Sequence, residues 1–176
     1  MNDYGVMPEP GTVRFERLLP GPIERVWDYL TDSEKRGTWL ASGEMELRVG
    51  GRIVHVFRNN DLTENDDAPP AEHACYGDEF RMEGRVTACE PPRLLAYTWP
   101  ESTGEDSEVT YELTPRGDRV LLVLTHRRLA PADRLSVLGG WHAHLDILGD
   151  RLAGQEPDGF WRNHTRLEAE YERRLA

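Results

Sequence analysis

The chain has 176 residues, a formal net charge of −11, and 38% hydrophobic against 30% charged residues. That suits one domain with a real core rather than two, and it argues against nucleic acid or an anionic membrane surface as the main partner. No apolar run approaches the ~18 residues of a membrane helix, and the N-terminus lacks the basic-then-apolar order of a signal peptide, which predicts a cytoplasmic protein.

Lys35 is the only lysine, and the arginines are scattered between acids, so they mark no phosphate-binding patch. Cys75 and Cys89 lie far apart and outside any paired-cysteine motif, which predicts two reduced thiols.

Residues 1–11 carry Pro8, Pro10 and Gly11 without periodicity and are expected to be a flexible tail ahead of a single domain over 12–176. Thr12 to Leu19 alternates as a first strand with one imperfect apolar face (Val13, Phe15, Arg17). Pro22 opens a helix whose Ile23, Val26, Trp27 and Leu30 repeat at helical spacing. Asp32 or Ser33 can cap a second short helix, which the Trp39-Leu40 pair closes.

Gly50-Gly51 between two alternating segments predicts a tight hairpin. That register places Met45, Leu47, Val54 and Val56 in the core and turns Glu46 and His55 outward. Residues 59–79 hold seven acids, no lysine or arginine, and Pro69-Pro70; they are expected to be a solvated, mobile acidic loop insertion. Four further strands follow over 80–88, 93–99, 107–113 and 119–129, with a polar loop at 100–106. Their aligned sets are Met82 and Val86, then Leu95, Tyr97 and Trp99, then Val109 and Tyr111, then Leu122, Leu124 and His126.

A long helix over about 131–154 contains Trp141, His144, Leu145 and Leu148 on one face. Gly139 and Gly140 cost it about 1 kcal/mol each, which a kink or a close backbone approach would explain. His142 and Asp146 form an i, i+4 pair on the opposite, solvated face. Asp158 can cap an extra C-terminal helix over 158–175, with Phe160, His164, Leu167, Tyr171 and Leu175 as its apolar stripe. Strands followed by helices read as α+β, with the strands in an antiparallel meander.

Val49-Gly50-Gly51-Arg52, the segment Glu90-Pro91-Pro92-Arg93-Leu94-Leu95-Ala96-Tyr97-Thr98-Trp99, the run 122–126, and Gly139-Gly140-Trp141 with Leu145 and Leu148 occur in an order that resembles one family. It is the family named after the activator of heat-shock protein 90 ATPase, in the START-like, or SRPBCC, superfamily. The resemblance covers about Thr12 to Gly154, and Pro22-Ile23-Glu24-Arg25-Val26-Trp27 also fits it. It implies a helix-grip fold: a curved antiparallel sheet wrapped around a long C-terminal helix, with a hydrophobic cavity between them.

On that fold the inward sets would line the cavity: Leu47, Val54, Val56, Met82, Leu95, Tyr97, Trp99, Val109, Tyr111, Leu122, Leu124, Trp141, Leu145 and Leu148, with Trp39 at the mouth. His126 and His144, beside Tyr97 and Tyr111, are the polar anchors to weigh against ordinary core histidines satisfied by a tyrosine or a backbone group. No phosphate loop, dinucleotide fingerprint or serine elbow is present, so no cofactor is expected. No metal site is expected either, although His73-x-Cys75 can hold a stray ion. His142-x-His144 points to two sides of a helix, His164 reads as structural, and no complete zinc spacing occurs.

The first functional reading is therefore binding of a small hydrophobic or aromatic molecule by a monomer or homodimer. The alternatives are a cyclase-, aromatase- or hydratase-like enzyme on the same fold, or a co-chaperone-like interaction module using the outer surface or the acidic loop 59–79.

Overall fold

The alternating segments assemble into seven antiparallel strands in the order β1-β2-β7-β6-β5-β4-β3. The computed structural model describes residues 2–76, 78–101 and 104–176. Met1, Gly77, Ser102 and Thr103, which fall in the expected tail, acidic loop and polar loop, lie outside the described residues. The strands are β1 (Val6–Glu9), β2 (Thr12–Pro20), β3 (Arg52–Phe57), β4 (Phe80–Glu90), β5 (Leu94–Trp99), β6 (Ser107–Arg116) and β7 (Arg119–Arg127). The helices are α1 (Ile23–Thr31), α2 (Ser33–Gly37), α3 (Arg134–Ala153) and α4 (Phe160–Leu175). This is the helix-grip α+β fold.

The inner face follows from period two. Cross-strand neighbours such as Phe15–Leu124, Tyr111–Leu124, Leu95–Tyr111 and Val86–Tyr97 share it, and all are buried. β4 pairs with β3 through Phe80–Arg85 and with β5 beyond Val86, and its register shifts between Val86 and Ala88. Such an irregularity bends a strand, and here it brings β3 round toward the helices.

The Gly50-Gly51 hairpin does not form with the expected register. Residues 42–46 make only isolated bridges, Ser42–Val56 and Met45–Ile53, three residues away from the expected Met45–Val56 pairing. An odd slip exchanges faces. His55, expected outside, is fully buried on the inner face opposite Met82. Leu47, expected in the core, is 45% exposed, and Val54 packs under the 42–46 segment rather than inward.

Two contacts enforce the slip. The buried Arg36 guanidinium donates to the carbonyls of Ala41 (2.8 Å), Gly43 (2.7 Å) and Val54 (3.1 Å), clamping that segment onto β3. Gly51 turns so tightly over Glu46 that a Cβ would sit 2.3 Å from its carbonyl oxygen.

α3 is buried on two sides. Trp141 meets the sheet side, its ring 6.2 Å from Tyr111. α4 covers the other side, where an ideal Cβ on Gly139 would stand 3.4 Å from Glu168 Cγ. His142 is therefore buried, with Nδ1 2.8 Å from the Tyr171 hydroxyl and Nε2 3.6 Å from Asp146, not a solvated residue.

The expected tail is tied down as well. β1 pairs with β2, the Gly5 N–H donates to the Tyr171 hydroxyl (2.7 Å), and the buried Arg17 reaches the Asp3 carbonyl. The acidic segment is also docked. The Asp66 carboxylate accepts the Trp161 and Arg162 amides (2.8 and 3.1 Å), and the Thr63 hydroxyl accepts the Phe160 amide (2.9 Å). The N-terminus of α4 is thus capped across the chain by Asp66 rather than by Asp158, which the sequence reading assigns to that role. Acids there complement the helix dipole, which a composition count could not reveal.

Asp66→Ala is expected to cost about 1 kcal/mol, as loss of an N-cap does, and more than Asp158→Ala. Urea denaturation of the two variants against the parent chain measures this.

Candidate functional site

A cavity of about 390 Å³ lies where the sheet, α3, α4 and the 59–79 segment meet. Its apolar wall includes Leu40, Phe57, Met82, Trp99, Leu129, Trp141, Phe160 and Trp161. Its polar wall includes Asn59, His73, Glu101, His126, His144 and His164. A concave, mostly apolar space with a few converging polar groups is the usual form of a small-molecule site.

Among the residues expected at the cavity, Met82, Trp99, His126, Trp141 and His144 are on its wall. Leu47 is not, because it is exposed, and Val54 faces away. Tyr97, Tyr111, Leu124, Leu145 and Leu148 are packed in the core beside it, and Trp39 is buried with its indole N–H on the Tyr29 carbonyl (2.7 Å) rather than at a mouth. Of the two expected partners for a core histidine, a tyrosine hydroxyl or a backbone group, His144 has the second, the Trp39 carbonyl, while the Tyr97 and Tyr111 hydroxyls bond each other at 2.8 Å. Phe160, Trp161, His164 and His73 were missed as wall residues because α4 and the acidic segment form the roof. The aromatic Phe160-Trp161 pair at the start of α4 was the available signal.

His126 sits in a directed chain. The Trp141 indole N–H donates to Nδ1 (3.0 Å), which must therefore carry a lone pair. The neutral ring's proton then lies on Nε2 and is donated to the Ser107 hydroxyl at 2.7 Å. Ser107 in turn donates to Glu101 (2.5 Å). Burial pushes the His126 pKa down to about 3, so the ring acts as a fixed donor–acceptor and not as a base toward Ser107.

His144 donates from Nδ1 to the Trp39 carbonyl (2.8 Å), which leaves Nε2 as its acceptor. Its pKa falls to about 4, chiefly through burial. His55 is buried among Phe57, Tyr97 and Trp99, and burial likewise drives its pKa well down.

On the roof, His73 Nε2 and Glu168 Oε2 are 3.2 Å apart, and His164 Nδ1 is 3.3 Å from the same oxygen. Beside His164 and His73, the Glu168 carboxyl is held below its ordinary range. Among the described residues, these three are the one group of histidines, cysteines and acids placed closely enough to hold a metal ion.

The family model described as activator of Hsp90 ATPase homolog 1-like protein matches residues 20–153. The chain belongs to this family. Among solved structures, a Bordetella parapertussis protein determined by solution NMR is 46% identical, with a TM-score of 0.82 over 99% of this chain and 91% of that one. CalU16 from Micromonospora echinospora is 24% identical, with a TM-score of 0.67 over 92% of this chain and 86% of that one. DynU16, from the dynemicin biosynthetic locus, is 18% identical, with a TM-score of 0.65 over 85% of this chain and 49% of that one. These last two share the fold. No curated protein matches the chain significantly. The family's fold is of the ligand-binding type, and no helix among the described residues is long and apolar enough to cross a membrane.

Two predictions follow from the site. His126, His142 and His144 have folded pKa values of about 3, 3 and 4, against about 6.5 for an unfolded histidine. The unfolded chain therefore binds more protons between those values. Their stability contribution is complete above pH ~6.5 and is lost as pH falls through the window, at up to about 1.4 kcal/mol per pH unit for each ring. Denaturant midpoints at pH 7.5 and 5.0 should show the loss, and His144→Gln should flatten it. Separately, Gly140→Ala should stabilise the protein by roughly 0.5–1 kcal/mol by relieving a helix glycine, since a Cβ there meets only His164 Nε2, at 3.8 Å. A lower melting temperature would refute the assigned packing.

Proposed function

We propose that this chain binds a small hydrophobic or aromatic molecule in the cavity between the sheet, α3 and α4. The observation that carries the reading is the 390 Å³ space walled by Phe57, Trp99, Trp141, Phe160 and Trp161, with polar groups set between these rings. Rings on several sides favour a flat or cyclic apolar body. His144 and the Ser107–Glu101 end of the His126 chain supply hydrogen-bonding groups for a single polar substituent. Membership of a family with a ligand-binding fold supports the same reading.

The test uses freshly purified protein. Native mass spectrometry followed by solvent extraction reads any co-purified molecule. The neutral fluorophore N-phenyl-1-naphthylamine then reports the apolar site directly. Saturable, blue-shifted emission is expected, weakened at least tenfold by Gly140→Leu, which fills the cavity, and unchanged by Leu47→Ala on the surface. A ligand present at 100 times its Kd should add about 2.7 kcal/mol of stability. Probe emission that is indifferent to Gly140→Leu, with no extracted molecule, would reject the reading.

A further inference from the structure

We propose that His73, His164 and Glu168 form a divalent transition-metal site, suited to Zn²⁺, on the roof of the cavity. The three donor atoms, one from each residue, lie within 4.8 Å of one another. Two of the three separations, 3.2 Å from His73 Nε2 to Glu168 Oε2 and 3.3 Å from His164 Nδ1 to the same oxygen, are already short. Zinc bonds of 2.0–2.2 Å in a tetrahedral arrangement place neighbouring ligand atoms roughly 3.3–3.5 Å apart. Those two edges of the coordination polyhedron are therefore close to formed.

The second observation is the state of His164. The residue is buried, and its Nδ1 stands 3.3 Å from Glu168 Oε2 without the alignment of a full hydrogen bond. A buried polar nitrogen without a full hydrogen bond is costly and calls for an explanation. An ion placed between Nδ1, Glu168 and His73 would satisfy all three at once.

The scaffold suits the role. His164 and Glu168 are four residues apart on α4, so they share one face. Trp161 stacks on His73 with ring centroids 6.0 Å apart and planes 16° from parallel, which orients that imidazole. His73 is carried on a short 3-10 segment (Ala71–Tyr76), where a small adjustment can complete the third edge. Two neutral imidazoles and one carboxylate favour a borderline ion such as zinc over calcium or magnesium, which take oxygen ligands.

Three protein ligands leave a fourth position open, as in zinc sites that take up a water or a ligand atom. His73 and His164 are both on the cavity wall, so the open position is available to a cavity ligand bearing a carbonyl or carboxylate. That last step rests on the proposed ligand-binding function; the metal site itself does not.

The experiment is a titration of chelator-stripped protein with Zn²⁺ alone by calorimetry, together with the visible absorption of a Co²⁺ substitute. One equivalent should bind in the micromolar range or tighter, and cobalt should show the intense bands of a four-coordinate ion. His73→Ala and Glu168→Gln should each weaken zinc at least tenfold, while Cys75→Ser should leave it unchanged, which separates this site from a His73–Cys75 pair. Circular dichroism confirms that the variants are folded. In the unmodified cobalt protein, two paramagnetically shifted imidazole N–H signals should appear, so the assignment does not depend on any variant. No zinc binding, binding in either variant as tight as in the parent chain, or loss with Cys75→Ser would overturn the proposal. No organic ligand is used, so failure here leaves the cavity reading standing, and an empty cavity leaves this test unaffected.

Discussion

Burial of α3 on two sides is the constraint on which the rest of the structure depends. A helix laid on a sheet normally keeps one face in water for its polar residues. Here α4 and the N-terminal segment cover that face, so Gly139, His142, Ala143 and His144 are buried along with Leu138, Trp141, Leu145 and Leu148. Each buried polar group on α3 must then find an internal partner or cost about 1–3 kcal/mol. The partners are spread over the whole chain: Tyr171 and Asp146 for His142, the Trp39 carbonyl for His144, and Asn163 for Asp146. The two glycines early in α3 face α4, where a Cβ would meet Glu168 at 3.4 Å from Gly139 and His164 at 3.8 Å from Gly140, both ordinary contact distances.

The cavity is a consequence of that arrangement. α4 and the docked acidic segment close over the end of the sheet where Phe57, Trp99 and Trp141 stand, and the large rings leave space between them. His126 and His144 on its wall each have a fixed tautomer. The Trp141 indole dictates the tautomer of His126, and the Trp39 carbonyl dictates that of His144. Both rings are kept neutral by burial, so they take part in hydrogen bonds instead of carrying charge. The roof differs, since there a carboxylate and two imidazoles meet around a buried nitrogen without a full hydrogen bond.

Much of the fold was legible in local patterns. β4 to β7, α1 and the stripe of Phe160, His164, Leu167 and Tyr171 follow from periods of two and 3.6. The errors share a cause. His55 and Leu47 exchanged places because Arg36, more than ten residues away in sequence, sets the register of 42–46 against β3. The acidic segment reads as solvated by composition, yet Asp66 has the α4 N-terminus to cap. His142 was placed in water because nothing near it in sequence announces Tyr171 or Tyr4 as its cover.

By itself the sequence determined which residues alternate inward on β4 to β7, that α1, α3 and α4 are helices, and which family the chain resembles, because these depend on neighbours within a few positions. Only the tertiary structure decided the register at Gly50-Gly51, the partner of each buried histidine, the roof of the cavity, and the meeting of His73 with Glu168 across 95 positions of chain. Those outcomes rest on contacts between distant segments, where a single cross-chain hydrogen bond outweighs the local pattern on either side of it.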